Sequence, residues 1–319
     1  MEVLSGVDDI VRPLKNPVIT IGNFDGVHRG HQALFNRVKE WARELDGQSV
    51  VITFNPHPLE VLFPSKNIPF ITSHDRKLEL IEACGIDAVI VLPFNEEFSR
   101  IPAREFVADI LVGRIGVKAI VVGHDYRFGH SREGDIDFLI ELGREYGFEV
   151  ETVAGIRIND TVVSSTVIRQ LILKGKMEEA GRLLGRLYEI TGTVVTGRQR
   201  GARLLGFPTA NIRMSSQASP RTGVYVVQAE VNGRIYGGAA NLGYNPTFGD
   251  TDFSLEVHLF DFNQDIYGMP ITVRFLDRLR DEMRFAGPED LMEQIRRDVA
   301  RAKEILAQRS APSASGSCS

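Results

Sequence analysis

The spacing of apolar residues changes partway along this chain, and that change constrains the fold more than any other feature. Before about residue 185, short apolar runs alternate with helix-spaced patterns. Residues 17–21, 49–54, 87–92 and 118–122 read as buried strands, and residues 31–45, 103–115 and 134–146 as helices. Leu34, Phe35, Val38, Trp41, Ala42 and Leu45 recur at helical spacing and predict one apolar face. Strand–helix alternation implies a parallel sheet covered on both faces. Ligands of such sheets gather at the carboxyl ends of the strands, near a switch in strand order. From Tyr188 onward the pattern is strands separated by turns. Residues 224–231 run into Asn232-Gly233, a two-residue hairpin signal, and 234–240 return. Residues 254–260 and 271–275 alternate again, which predicts an antiparallel barrel or sandwich. A helix over 288–306 closes it, with Leu291, Ile295, Val299 and Ile305 on one stripe. A short helix and hinge over 176–187 lies between the two patterns. The reading is an α/β domain over 1–184 and an all-β domain over 185–309. The Ser/Ala/Pro/Gly tail over 310–319 is expected to be disordered.

Length agrees, since 319 residues suit two domains at roughly 150 residues each. A hydrophobic fraction of 43% with 25% charged residues excludes a wholly disordered chain or a fibre. A net charge of −5 argues against a generic nucleic-acid binder but leaves room for a local phosphate site. No apolar run approaches the roughly 20 residues of a membrane span. The first residues carry Glu2, Asp8 and Asp9 rather than the basic start of a signal peptide. Cys84 and Cys318 are too few for a disulfide framework or a cysteine zinc site, so a reducing cytoplasm is the expected address. Nothing in the sequence specifies an oligomeric state.

The loop after the first strand is Gly22-Asn23-Phe24-Asp25-Gly26-Val27-His28-Arg29-Gly30-His31. Gly22, Gly26 and Gly30 allow sharp turns and close approach to a ligand. The helix that follows offers free N–H groups to phosphate. His28 and His31, three residues apart, can reach one anion and stabilise charge building on phosphorus. A zinc pair lacks a third ligand at the usual spacing, and a solvated glycine-rich turn is the plainer alternative. Ser164-Ser165-Thr166 opens another helix, with Arg169 one turn further. These residues suit phosphate oxygens and equally suit an ordinary helix cap. In the second half, Gly197-Arg198-Gln199-Arg200-Gly201-Ala202-Arg203-Leu204-Leu205-Gly206 is a basic, glycine-punctuated loop. Charge alone does not separate a phosphate loop from a solvated surface loop or a small RNA-binding patch. Thr209 and Asn211, two apart on a strand, turn their oxygens to one face and weakly suggest a hard cation.

Taken together, G-x-F-D-G-x-H-x-G-H and S-S-T-x-I-R resemble the adenylyltransferase module of the prokaryotic bifunctional riboflavin kinase/FAD synthetase family, itself similar to the wider HxGH nucleotidyltransferases. Two intermediate stretches also match, Thr53-Phe54-Asn55-Pro56-His57-Pro58 and Gly123-His124-Asp125-Tyr126-Arg127-Phe128-Gly129. Gly206-Phe207-Pro208-Thr209-Ala210-Asn211 resembles the hallmark of the riboflavin kinase module, followed in order by Glu256-Val257-His258 and Leu279-Arg280-Asp281-Glu282. The resemblance implies a Rossmann-like domain and a six-stranded antiparallel barrel with a C-terminal helix. It implies that riboflavin is phosphorylated by ATP to FMN, whose phosphate then attacks the α-phosphorus of a second ATP and expels pyrophosphate. It implies ATP and phosphate contacts at Gly22, Phe24, Gly26, Gly30, Ser164, Ser165, Thr166, Arg169, Gly197, Gly201 and Gly206. Catalytic roles fall to His28, His31 and Glu256, the last as the base for the riboflavin 5′-hydroxyl. Flavin contacts fall to Pro56, His57, Pro58, Asp125 and Arg280, and Mg²⁺ to Thr209 and Asn211. Two rivals remain: an HxGH transferase for another phosphate acceptor with a passive barrel, and a non-catalytic flavin- or RNA-binding module. Glu256 beside an intact G-F-P-T-A-N opposes the first. His28 and His31 together with the segment from Ser164 to Arg169 oppose the second.

Overall fold

The computed structural model describes residues 1–66, 68–196, 207–214, 217–244 and 253–310. The chain divides into two compact units, Met1–Val167 and Ile168–Ser319.

The first unit contains β1 (Glu2–Leu4), β2 (Val18–Ile21), α1 (Arg29–Glu44), β3 (Ser49–Asn55), α2 (Pro58–Leu62), α3 (His74–Ala83) and β4 (Ala88–Pro93). Then come α4 (Ala103–Glu105), which continues as a wider π-type coil over Phe106–Ile115, β5 (Ala119–Gly123), α5 (Ile136–Tyr146) and β6 (Glu149–Val153). A small hairpin, β7 (Arg157–Ile158) and β8 (Thr161–Val162), precedes α6 (Ser165–Leu173), within which the first unit ends at Val167. The six strands β1 to β6 pair in the order β1-β4-β3-β2-β5-β6, every pair parallel. Strand alternation sends side chains to two cores. Ile19, Ile21, Val50, Ile52, Ile90 and Ile120 pack with residues of α4 and α5. On the other face Val51 and Val89 meet Phe35 and Ile81, while Val18 and Val121 meet Val38 and Trp41. Both faces are thus covered, and the four most buried members of the expected α1 stripe, Phe35, Val38, Trp41 and Ala42, face the sheet. The chain leaves β2 toward β3 on one side and returns with β5 on the other. That reversal puts the switch point at the carboxyl end of β2, where the glycine- and histidine-rich loop begins.

The second unit contains α7 (Met177–Leu184), β9 (Tyr188–Val195), β10 (Ala210–Met214), β11 (Gly223–Val231), β12 (Arg234–Gly243), β13 (Ser254–Leu259), β14 (Pro270–Arg280) and α8 (Pro288–Ser310). The strands close an antiparallel barrel in the order β10-β13-β12-β11-β14-β9. The Asn232-Gly233 turn between β11 and β12 has φ values of 50° and 73°, as a two-residue hairpin requires. Alternate residues fill the barrel, among them Tyr188, Tyr225 and Phe275, whose rings pack at 5.2 and 6.1 Å. Outward-facing Val226 and Leu276 meet Ala302 and Ile305 of α8, so the helix covers one flank of the barrel.

The division of the chain falls earlier than the expected boundary at Gly185. The reason is α7, which buries Met177, Ala180, Leu183 and Leu184 and packs against β9 and β14. Two details also extend the sequence reading. Helix α8 runs through Ser310, the first residue of the expected tail, and 311–319 lie outside the described residues. No described helix is long and apolar enough to cross a membrane.

Candidate active sites

In the first unit, β2 ends at Ile21 and α1 begins at Arg29, so the intervening loop lies at the switch point. His28 is the N-cap of α1. Its Nδ1 accepts the His31 amide at 3.3 Å, and its carbonyl accepts the Gln32 amide at 2.9 Å. The two imidazoles stack with centroids 3.6 Å apart, and Phe24 stands edge-on to His31 at 5.1 Å. Gly30 makes room for this stack, since a Cβ there would meet the His28 ring at 3.1 Å. Gly26, at φ 86°, adopts a backbone conformation that side chains oppose. Asp25 is 6% exposed, and its Oδ1 accepts the Ile71 and Thr72 amides at 2.9 and 3.2 Å. The Gly26 amide donates to Thr72 Oγ1 at 3.1 Å, so the segment before α3 braces the loop from the far side.

The serine segment reaches the same loop. Ser165 Oγ donates to the Asp25 carbonyl at 2.8 Å, and the Val163 carbonyl lies beside Gly30. Ser164 Oγ accepts the Val167 amide at 3.3 Å, the capping geometry that its sequence allowed. Thr166 is exposed, and Arg169 follows Ser165 by four residues on α6, hence on the same helix face.

Two further loops open at the same end of the sheet, because β3 and β5 flank β2 in parallel. After β3, His57 caps α2 through Nδ1, which accepts the Leu59 amide at 3.1 Å. Glu60 closes a capping box with the His57 amide, and Pro58 is the first helical residue. The His57 ring packs on Phe70 at 4.6 Å, so His57 and Pro58 shape the loop that begins at Pro56. After β5, the Tyr126 amide bonds the Gly123 carbonyl at 3.1 Å in a turn that carries Asp125 exposed at its tip.

In the second unit, the register across β10, β13 and β12 sets Asn211, Glu256 and Asn241 directly opposite one another in a row. Their neighbours Ile212, Leu255, Val257, Ala240 and Leu242 point into the barrel, so the row lies on its outer face. Thr209 Oγ1 donates to Glu256 Oε2 at 3.4 Å. His258, two residues from Glu256, bonds the Pro208 carbonyl through Nδ1 at 2.9 Å, and its ring meets Phe207 edge-on at 5.3 Å. The strand carrying Glu-x-His therefore holds the Phe-Pro-Thr segment beside the glutamate. Sequence reading gave His258 no role, and its place two residues from Glu256 on an alternating strand was the signal available.

Arg280 continues the register row two strands beyond Asn241, through Val224 of β11. Its Nε and Nη2 bond the Asp298 carboxylate at 2.7–3.1 Å, and Nη1 donates to the Asp281 carbonyl at 2.9 Å. It ties β14 to α8. Gly197, Gly201 and Gly206 fall outside the described residues. Among the described residues, no cluster of three His, Cys, Asp or Glu side chains could hold a metal.

Similarity to known proteins follows the same division. Residues 11–167 match the FAD synthetase family and residues 184–306 the riboflavin kinase family. A bifunctional riboflavin kinase/FMN adenylyltransferase of Pseudomonas fluorescens is 41% identical over 308 residues, covering 96% of this chain and 98% of the relative. The protein of that name from Escherichia coli (strain K12) is 39% identical over the same length and coverage. A solved structure from Streptococcus pneumoniae, described as a macrolide-efflux protein, superposes with a TM-score of 0.85 at 35% identity, covering 94% of this chain and 98% of its own. Two family matches in sequence order, and relatives of one name along nearly the whole length, show that this chain belongs to the bifunctional riboflavin kinase/FMN adenylyltransferase family.

Proposed function

We propose that the two reactions of this enzyme occupy separate units, adenylyl transfer at the β2–α1 loop and phosphoryl transfer at the row on β10 and β13. The enzyme is a transferase that makes FMN from riboflavin and FAD from FMN, with ATP as the donor in both steps. The observation that supports the assignment is a pair of contacts, Ser165 Oγ on the Asp25 carbonyl of the histidine loop and Thr209 Oγ1 on Glu256 Oε2 of the barrel.

For adenylyl transfer, the FMN phosphate oxygen attacks the α-phosphorus of ATP and pyrophosphate leaves. No protein nucleophile is needed. Positioning and charge stabilisation carry phosphoryl transfer, and the same logic extends to attack at the α-phosphorus. His28 and His31 stand at the N-terminus of α1, where N–H groups and the helix dipole favour anions. Their role is to stabilise charge on the transferring phosphate, and Ser164, Ser165, Thr166 and Arg169 extend the cradle along α6. Pro56, His57, Pro58 and Asp125 line the neighbouring mouth of the sheet, where the flavin is assigned.

For phosphoryl transfer, Glu256 takes the proton from the riboflavin 5′-hydroxyl as that oxygen attacks the γ-phosphorus of ATP, the bond to the β,γ-bridging oxygen breaks and ADP leaves. The donors around it fit Mg²⁺, because the Thr209 hydroxyl and Asn211 amide supply hard neutral oxygens. Mg²⁺ held there would leave coordination places for ATP oxygens and water and would neutralise charge on the phosphates. His258 keeps Thr209 in reach by holding the Pro208 carbonyl. With its guanidinium bonded to Asp298, Arg280 contributes to the flavin site by fixing the end of β14. The chemistry calls for small-molecule substrates only, with neither nucleic acid nor membrane as partner, and a cytoplasmic address suits them.

Glu256→Gln tests the assignment. It keeps shape and removes the base, so FMN formation should fall by about 10²–10⁴-fold. FAD made from supplied FMN should hardly change. Kinase activity at the normal rate in this variant would remove Glu256 from the mechanism.

A further inference from the structure

Lys77 is 6% exposed, and no step described above uses it. It breaks two rules of local structure at once. It lies one turn from fully buried Ile81 on the sheet-facing side of α3, where an apolar residue would cost less. It also places a cation near the amino end of a helix, against the dipole. Positions that break local rules without local gain mark functional sites.

The gain lies outside α3. Lys77 Nζ donates to Thr53 Oγ1 at 3.0 Å, to the Asn23 carbonyl at 3.3 Å and to the Phe54 carbonyl at 3.4 Å. Thr53 Oγ1 in turn donates to the Asn23 carbonyl at 3.3 Å. Three N–H donors meet three acceptors, one in the loop after β2 and two at the end of β3, just before the next loop. Asn23 opens the segment that leads to His28 and His31. Phe54 directly precedes Asn55-Pro56-His57-Pro58. At the carboxyl end of two parallel strands, carbonyl oxygens converge and repel, and the ammonium holds them together.

We propose that Lys77 is a positioning residue for FMN adenylylation, its ammonium clamping the exit of β2 to the exit of β3 and so fixing the phosphate loop against the proline–histidine loop. The inference rests on the assignment of adenylyl transfer to the β2–α1 loop. The clamp needs the charged lysine, and burial pushes its pKa down to about 8 against the attraction of Asp25 and Glu60. The charged groups that face it are Asp25 on the phosphate loop, Glu60 on α2 and His74 on α3. His74 is held below the ordinary histidine range by burial and by Lys77 itself, so its titration is complete before pH 8.

The test is made on the full chain, with riboflavin kinase activity as an internal reference and thermal unfolding alongside. Lys77→Met should lower FMN adenylylation by about 10–100-fold, chiefly in kcat, because small misplacement of reacting groups costs about that much. Kinase activity should stay within about twofold by the same reasoning, since Lys77 lies in the other unit. Thr53→Val, which keeps volume and removes only the hydroxyl link, should lower adenylylation by a smaller factor. In the wild type, the ratio of adenylylation to kinase rate should fall as pH rises through about 8, and in Lys77→Met that fall should vanish. Wild-type adenylylation in Lys77→Met overturns the proposal. So does a uniformly slower variant with an unchanged pH profile, which is the mark of a merely structural lysine. If Lys77→Met unfolds the first unit, Thr53→Val and the wild-type pH profile decide, and a normal rate with a flat profile overturns the clamp. His28→Ala, measured in parallel, separates the two levels. A defect there with a normal Lys77→Met sinks only the clamp, whereas normal rates in both sink the site assignment.

Discussion

At the amino end of α1, His28 accepts the His31 amide on Nδ1, which leaves its ring proton on Nε2 as a donor. One imidazole thereby caps the helix and carries a donor at the place where N–H groups already favour an anion. The two rings stack at 3.6 Å, which holds the His31 imidazole beside that donor. Truncating either histidine should lower FMN adenylylation by roughly 10²–10³-fold, the loss typical of one transition-state charge donor. His28→Asn separates the two roles. Asparagine caps well, so thermal unfolding should match the wild type while adenylylation stays low. Normal FAD formation from FMN in the His28→Asn variant would show that His28 is only a cap. The histidines were visible in the sequence because glycines at fixed spacing surround them. Lys77 was not, since a single lysine within a helical stretch reads as solvated surface. Only the fold shows that it faces three acceptors.

Among the elements, those with strong apolar patterns were legible from the sequence. Strands β2 to β5, the barrel strands from β11 to β14, and helices α1, α5 and α8 lie within a few residues of their expected spans. What escaped has a physical reason in each case. Strand β1 is three residues long, and β6 is an edge strand whose Glu149, Val150, Glu151, Thr152 and Val153 are at most half-buried. Helix α3 hides its apolar stripe because Lys77 occupies one place in it. Helix α7 falls within the short helix and hinge expected over 176–187, but its packing was not legible: Gly185 is its αL cap, and Met177, Ala180, Leu183 and Leu184 are buried. This gives the elements a prediction of their own. A fragment over 168–310 should unfold cooperatively and make FMN from riboflavin. A fragment over 185–310 lacks Met177, Leu183 and Leu184, each worth about 1.5–3 kcal/mol of burial. It should melt about 10 °C lower or more by calorimetry. Equal melting temperatures would show that α7 adds nothing to the barrel.

The whole molecule joins two folds that solve related problems in different ways. The parallel sheet gathers its loops at one switch point beside a helix N-terminus, which suits the electrostatic stabilisation proposed for adenylyl transfer. The closed barrel sets Glu256 beside the Thr209 hydroxyl and opposite Asn211 on its outer face, which suits the base and the divalent cation proposed for phosphoryl transfer. On the proposed assignment each reaction relies on its own set of groups, so substitutions should separate the two, with FMN made before FAD. The most direct measurement is a time course of the wild-type chain with riboflavin and Mg-ATP, resolved by chromatography. FMN should appear first and FAD follow at its expense. Glu256→Gln should yield neither from riboflavin yet convert supplied FMN to FAD, and His28→Ala should stop at FMN. A wild-type chain that leaves riboflavin unchanged, or a single substitution that abolishes both reactions in a folded protein, would contradict the account.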